Sequence, residues 1–330
     1  MIMRLNILYV LLLVIFTSAP ISINAQSKAW AMLQDGVMTF SYGQKPKGPD
    51  KVKCSSCQNM QLSSSNFCSN CGSRLEKGFE IFEAFAKDDN HFRYWNYNKY
   101  AHTIKKVIIL PSFKQVYPTD ISRFFSNMEN LLEIVGIENL NTSRVTNMEC
   151  LFRHCAKLTT INLSHFNTSN VTNMGSMFCG CSSIQSLDVS HFNTSNVTNM
   201  GGMFMWCYNL ERLDVSRFNT TKVTSFDSMF LGCKKLTSLN LLNFKTENGI
   251  YFGEMFAECI GLTTLDISNF NTRKAEYMDG MFDECSNLKT IYVSATNWVE
   301  HYHYNHNNYT GVLCNRNNPW VTCSAKIVKK

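Results

Sequence analysis

The chain has 330 residues, 45% of them hydrophobic, and carries 31 Lys and Arg against 25 Asp and Glu, a formal net charge of +6. This excess is mild and no basic cluster is larger than the segment 326–330, so the sequence indicates neither nucleic acid nor a membrane surface as a partner. The 14 cysteines are not spread like a disulfide scaffold, because six fall in one repeating column and four in a separate motif.

Residues 1–25 have the pattern of a secretory signal peptide. Arg4 precedes an apolar run over residues 7–16, and small residues follow as far as Ala25. About ten apolar residues are too few to span a bilayer, although an uncleaved anchor is the alternative. We expect cleavage before Gln26, which leaves 30 Lys and Arg against 25 Asp and Glu, or +5. With no cysteine after the run and no evident C-terminal anchor, the protein is predicted to be secreted or held at the cell surface.

Residues 26–43 and 79–117 are predicted to form an N-terminal cap. Two short strands flank Asp35 and Gly36, a dipeptide that favours a tight hairpin turn, and a further strand is predicted at 107–110. Such a cap would cover the apolar end of a stack of repeats.

An insertion at residues 44–78 separates the two parts of the cap. A linker rich in Pro, Gly and Lys comes first, and then Cys54 and Cys57 are followed, after ten residues, by Cys68 and Cys71. Two Cys-x-x-Cys knuckles at this spacing resemble a zinc ribbon, in which four thiolates hold one structural Zn²⁺. Two disulfides are the alternative, because export brings the thiols into an oxidising compartment.

A repeat of 26 residues occupies residues 118–293. Its clearest copy, residues 184–207, reads IQSLDVSHFNTSNVTNMGGMFMWC. Six cysteines share the period: Cys155, Cys181, Cys207, Cys233, Cys259 and Cys285. Repeats of this length are typical of solenoids, and we predict about seven coils. Each would have a short strand, with Leu187 and Val189 pointing inward in this copy, and a helical or 3₁₀ turn that leads to the cysteine.

Two columns of the repeat are predicted to be structural. The cysteines have no His or Asp in step with them, so we expect small buried hydrophobic side chains rather than nucleophiles or metal ligands. Asn193 and Thr194, with their counterparts, are expected to bond the turn of their own coil. Some of these Asn residues match a glycosylation pattern, but the repeat produces such matches by itself and we assign no sugar.

Three segments of the repeat carry a family resemblance: Leu-x-x-Leu-x-Val, Phe-Asn-Thr-Ser-Asn-Val-Thr-Asn-Met and Met-Phe-x-x-Cys. Together they resemble the repeat of the BspA-like leucine-rich-repeat surface proteins of bacteria. The resemblance implies a leucine-rich-repeat solenoid of α/β repeats, here with a small β-rich cap and the zinc-ribbon-like insertion. It also implies a secreted or cell-surface protein that binds host proteins or other cells.

The period ends at residue 293, and residues 294–330 are predicted to form a C-terminal cap. Cys314 and Cys323 lie nine residues apart and are candidates for a disulfide. His301, His303 and His306 could share a metal, but a solvated loop rich in Asn and Tyr is the favoured interpretation.

The outward strand face is the candidate binding surface. The predicted ligand-binding residues are Asp188, Asp214 and Asp266 in its central column and Arg212 beside them. The face is polar and weakly acidic, which favours a weak or multivalent contact with an extracellular protein, or no contact at all. No catalytic set appears at a usable spacing, so we predict an adhesin-like interaction protein and not an enzyme. The alternative is a structural envelope component that docks a partner through the zinc-ribbon-like module.

Overall fold

The computed structural model describes residues 28–43, 100–299 and 325–330, and the backbone of short strands at 51–53, 60–62, 79–83, 303–305 and 308–310. The predicted signal peptide, the four-cysteine motif and the Cys314–Cys323 pair lie outside the described residues. The limits of the predicted domains therefore stay predictions.

The described elements are short strands and three 3₁₀ helices. The strands of the first part are β1 (Lys28–Gln34), β2 (Val37–Gly43), β3 (Lys51–Lys53), β4 (Met60–Leu62), β5 (Phe79–Glu83), β6 (Lys106–Ile109) and β7 (Glu133–Val135). The later strands are β8 (Ser186–Leu187), β9 (Arg212–Leu213), β10 (Thr264–Ile267), β11 (Thr290–Val293), β12 (His303–Asn305), β13 (Asn308–Thr310) and β14 (Lys326–Lys329). The 3₁₀ helices span Ala101–Thr103, Pro111–Gln115 and Ile137–Asn139.

A mixed five-stranded sheet, in the order β5-β1-β2-β6-β7, lies at the N-terminal end of the repeats. The predicted hairpin is present: β1 and β2 are antiparallel, and Asp35 and Gly36 between them have φ of 51° and 77°. Two consecutive positive φ angles give a turn whose twist matches that of the strands. Because β7 belongs to the first coil, this sheet runs directly into the repeats. Phe40 of β2 packs 4.8 Å, between ring centroids, from Phe124 of the repeat region, so both parts share one core.

The coils are joined along one side by a continuous parallel ladder. Its members, which we call the ladder column, are Asp120, Asn147, Asn173, Asn199, Ser225, Tyr251 and Tyr277, each bridged to the next. Behind it, the core contains a stack of phenylalanine rings with centroids 5.1 to 5.9 Å apart: Phe125, Phe152, Phe178, Phe204, Phe230, Phe256 and Phe282. A 26-residue coil therefore buries its apolar side chains only against its neighbours.

The turn after the ladder column is not an α-helix. The amides of Met200, Gly202, Phe204 and Trp206 donate to carbonyls of the next coil, whereas those of Met203, Met205 and Cys207 donate to carbonyls three residues earlier. Gly202 and Trp206 have positive φ angles, of 63° and 58°. This backbone conformation orients their peptide groups towards the neighbouring coil. No α-helix occurs in the part of the chain that the structure describes. The predicted α/β repeat is therefore corrected to a repeat of strand and 3₁₀-type turn, because an α-helix would bond only to itself.

On the strand side of the stack, only some neighbouring coils are joined by strand pairing. Strand β8 pairs with β9, and β10, β11 and β14 form one parallel sheet. One pair of coils without strand pairing also has wider ring spacing away from the ladder column. Their ring centroids are 5.0 Å apart for Tyr251 and Tyr277 in the ladder column, 5.6 Å for Phe256 and Phe282, and 6.4 Å for Phe244 and Phe270. These coils diverge across the core, beyond the roughly 4.8 Å that strand pairing requires.

A buried threonine in each coil makes a further bridge. Thr194 Oγ1 donates to the carbonyl of Asn219 (3.0 Å) and accepts from the amide of Asn219 (2.8 Å), one coil further on. The same two bonds are made by Thr168, Thr220, Thr246 and Thr272. The prediction that these threonines bond their own coil was wrong. The corresponding prediction for the asparagines is confirmed, since Asn193 Oδ1 accepts from the amide of Ser195, in its own coil, at 3.1 Å.

Replacing Thr194 by Val should lower the free energy of unfolding by about 1–3 kcal/mol, because the nearly isosteric side chain leaves both backbone groups of Asn219 without their partner. Thr194→Ser keeps the hydroxyl and should lose less. Urea unfolding followed by circular dichroism measures both variants. Equal stabilities for Val and Ser would show that the bridge contributes nothing.

Candidate binding surface

The predicted ligand-binding residues lie on three strand-side segments. Asp188, Arg212 and Asp214 are exposed on neighbouring coils. The pairing of β8 with β9 aligns Ser186 with Arg212 and Leu187 with Leu213, directly before Asp188 and Asp214. Asp266 is half-buried further along the stack.

Each of these carboxylates is fixed by its own turn. Asp188 Oδ1 accepts from the hydroxyl (2.7 Å) and the amide (3.0 Å) of Ser190, and Asp214 Oδ1 accepts from the amide of Ser216 (2.9 Å). Hydrogen bonds from the serine side chain and amide lower the pKa of both carboxyls. The two exposed side chains are thus held in position and ionised at neutral pH.

Asp266 has a different environment, because Lys330 contacts it from the far end of the chain. The Lys330 ammonium lies 2.7 Å from Asp266 Oδ2 and 3.8 Å from the ring centroid of Tyr292. Burial raises the pKa of the Asp266 carboxyl, but hydrogen bonds from Lys330 and Ser268 outweigh it and the net shift is downward. The structure therefore places Asp266 in an ion pair, apart from the exposed Asp188 and Asp214.

A groove of about 540 Å³ opens at the N-terminal end of the strand face. The sequence analysis did not predict it. It is lined by Leu132, Glu133, Ile134, Ile137, Glu138, Thr160, Ile161, Asn162, Ser164 and His165. Leu132 and Val135 are 57% and 43% exposed, although both are large and apolar. Burial lowers the pKa of His165, so the lining imidazole is neutral at physiological pH.

Gly136 lies in the chain between the lining residues Ile134 and Ile137. Its φ is 74°, and a Cβ there would lie 2.2 Å from the carbonyl oxygen of Ile109, so a larger side chain would require the backbone to move. The chain turns away from β6 at this point and the sheet stops at β7. The first coil is one residue longer than the others, with 27 positions between Asp120 and Asn147, and this irregularity at Gly136 is the sequence signal for a break in the regular face here.

The periodic cysteines are buried, as predicted, but they also act as donors. Cys207 Sγ lies 3.2 Å from the carbonyl of Phe178 in the preceding coil, and the other five thiols make the same contact at 2.9 to 3.2 Å. The amide of Cys181 already donates to that carbonyl, so the thiol uses its second lone pair. Burial raises the pKa of Cys181 to about 12, and likewise raises that of its counterparts. A thiol that stays protonated is neither a nucleophile nor a metal ligand.

The described residues contain no group of three or more His, Cys, Asp or Glu side chains able to hold a metal ion. This finding does not reach Cys54, Cys57, Cys68 and Cys71, whose zinc site and alternative disulfides both remain predictions. No helix within the described ranges is long and apolar enough to cross a membrane.

The stacked 26-residue coils and their polar strand face define a solenoid repeat protein. Residues 119–212 and 207–311 match the family described as "Mycoplasma protein of unknown function, DUF285", and the chain belongs to this family. The structure is also similar to a crystal structure of a leucine-rich repeat protein from Eubacterium ventriosum. That match has 16% sequence identity and a TM-score of 0.26, over 83% of this chain and 78% of the other. No curated protein matches the chain.

Changing Cys207 to Ser should lower the free energy of unfolding by about 1–3 kcal/mol, because the shorter C–O bond draws the buried hydroxyl away from the Phe178 carbonyl. Cys207→Ala buries no polar group and should lose less. Urea unfolding measures both variants, and iodoacetamide should leave Cys207 unmodified in the native protein. Rapid alkylation of the native thiol would contradict the burial of this column.

Proposed function

We propose that the protein is a secreted or cell-surface interaction protein that binds another protein through its strand face. The exposed apolar side chains of Leu132, which lines the first groove, and of the nearby residue Val135 are the observation that supports this proposal. Exposed apolar surface surrounded by polar residues is typical of protein contact sites, since burying it against a partner removes it from water. The predicted signal peptide and the resemblance to BspA-like surface proteins support an extracellular location.

The polar part of the face suits a contact spread over several coils. Asp188, Arg212 and Asp214 come from neighbouring coils, and the turns that hold the two aspartates reduce the side-chain entropy lost on binding. Exposed charges contribute little singly, so affinity would come from the groove and charge specificity from these columns.

The double variant Leu132→Asp/Val135→Asp should reduce binding of the labelled full-length protein to intact cells by at least about tenfold, because charged groups cannot be buried in an apolar contact. Leu242→Asp is the matched control: Leu242 is 54% exposed on the strand side but does not line the groove. It should bind like the unchanged protein. Binding that survives the double variant but is lost in Cys54→Ser/Cys57→Ser would assign docking to the insertion.

The triple variant Asp188→Asn/Arg212→Gln/Asp214→Asn should weaken the same binding several-fold and make it less sensitive to salt. Asparagine can still accept the serine amides at both positions, so the turns should survive, as Asn162 shows with the amide of Ser164 at 3.0 Å. The measurement is a titration on cells at two salt concentrations. Unchanged affinity and salt dependence would remove these columns from the contact.

A further inference from the structure

A second groove, of about 470 Å³, lies at the ladder column and not on the strand face. Its lining residues are Ser225, Asp227, Tyr251, Gly253, Glu254, Tyr277 and Asp279. The ladder column changes character here, from asparagine in the earlier coils to Ser225 and then to two tyrosines.

Tyr251 and Tyr277 form an exposed aromatic surface. Their rings are stacked, with centroids 5.0 Å apart and planes at 15°, and each residue is 41% exposed. Tyr277 covers one face of the Tyr251 ring. The preceding ladder position holds Ser225, a small residue that lines the groove beside Tyr251. A planar group can therefore enter above Ser225 and lie against this ring.

Gly253 forms the floor of the groove. A Cβ at this position would lie 2.7 Å from Asp227 Oδ1, so the Asp227 carboxylate extends over the space that any other residue would fill. The absence of a side chain at Gly253 brings this carboxylate, Glu254 and the Tyr251 ring to the walls of one groove.

The charge of the groove selects a cation. Neither Asp227 nor Glu254 forms an ion pair with a Lys or Arg in the described part of the chain, and Asp227 accepts only from Ser228 Oγ, at 3.2 Å. Lys222 and Lys274, each three residues before a ladder-column residue, donate from their ammonium groups to Asn196 and Asn248, at 2.7 and 2.9 Å, and neither lysine lines the groove. Partial desolvation raises the pKa of both carboxyls, and for Glu254 the neighbouring Asp227 adds to the effect. An entering cation would relieve this crowding of like charges, whereas an anion would be repelled.

We propose that this groove binds an arginine side chain from a basic segment of a partner protein. The guanidinium lies flat on the exposed face of Tyr251 and donates hydrogen bonds to Asp227 and Glu254. Arginine fits better than lysine, because its planar group can stack on an aromatic ring and donate in two directions at once. The site uses a different surface from the strand face and adds a second, charge-selective contact to the proposed function.

The test is fluorescence anisotropy of a labelled hexa-arginine peptide with the full-length protein. Tyr251→Ala and the pair Asp227→Asn/Glu254→Gln should each weaken binding by about tenfold. Tyr251→Phe keeps the aromatic face and should bind almost normally. A hexa-lysine peptide should bind more weakly than hexa-arginine, because it cannot stack in the same way.

The matched control is Asp188→Asn/Asp214→Asn, which removes the same charge from the strand face and should change peptide affinity less than twofold. Equal losses in both pairs would mean that the peptide responds only to net charge, and would overturn the proposal, as would an unbound peptide or unchanged affinity in Tyr251→Ala. If Tyr251→Ala fails to fold, the Asp227/Glu254 pair and its control still decide. If Asp227→Asn/Glu254→Gln loses the peptide but still binds cells, the arginine site and the strand-face function are separate.

Discussion

Backbone hydrogen bonding between neighbouring coils is the interaction on which the rest of the structure depends. In the turn of each coil, every second amide donates to the following coil, so no coil satisfies its own backbone. This bonding fixes the 26-residue register, and the register in turn aligns the phenylalanine rings, the cysteine thiols and the bridging threonines. A residue inserted within the turn would shift these columns, whereas the extra residue of the first coil, at Gly136, lies outside the turn and leaves Phe125 and Phe152 stacked.

The same constraint determines what the surfaces can present. Backbone bonds and the threonine bridges occupy most of the polar groups inside the stack, so binding depends on side chains at the strand face and the ladder column. At the strand face, short turns hold Asp188 and Asp214 in place. At the ladder column, Gly253 and Ser225 open space that larger residues would close. Small residues at periodic positions thus shape the second groove.

The repeat, its period and the hairpin at Asp35 and Gly36 were predictable because each depends on local chemistry or on a pattern visible in the sequence. The positive φ at Trp206 was not, since nothing in a tryptophan side chain favours that conformation and only the bonds to the next coil maintain it. The ion pair of Asp266 with Lys330 joins residues 64 positions apart and depends on where β14 docks. The contact between Phe252 and Gly249 was not predictable either. A Cβ on Gly249 would lie 2.2 Å from the Phe252 ring, so Phe252 fills the space that the missing side chain of Gly249 leaves.

The unequal spacing of the coils has a consequence for how partners meet the protein. In the pair of coils that contains Tyr251 and Tyr277, the aromatic rings lie closer at the ladder column (5.0 Å) than at Phe244 and Phe270 (6.4 Å). Side chains of successive coils therefore meet at the ladder column, and the second groove takes its lining from three coils. One small ligand there can contact all three coils at once, whereas a partner on the strand face must extend along the stack to do the same.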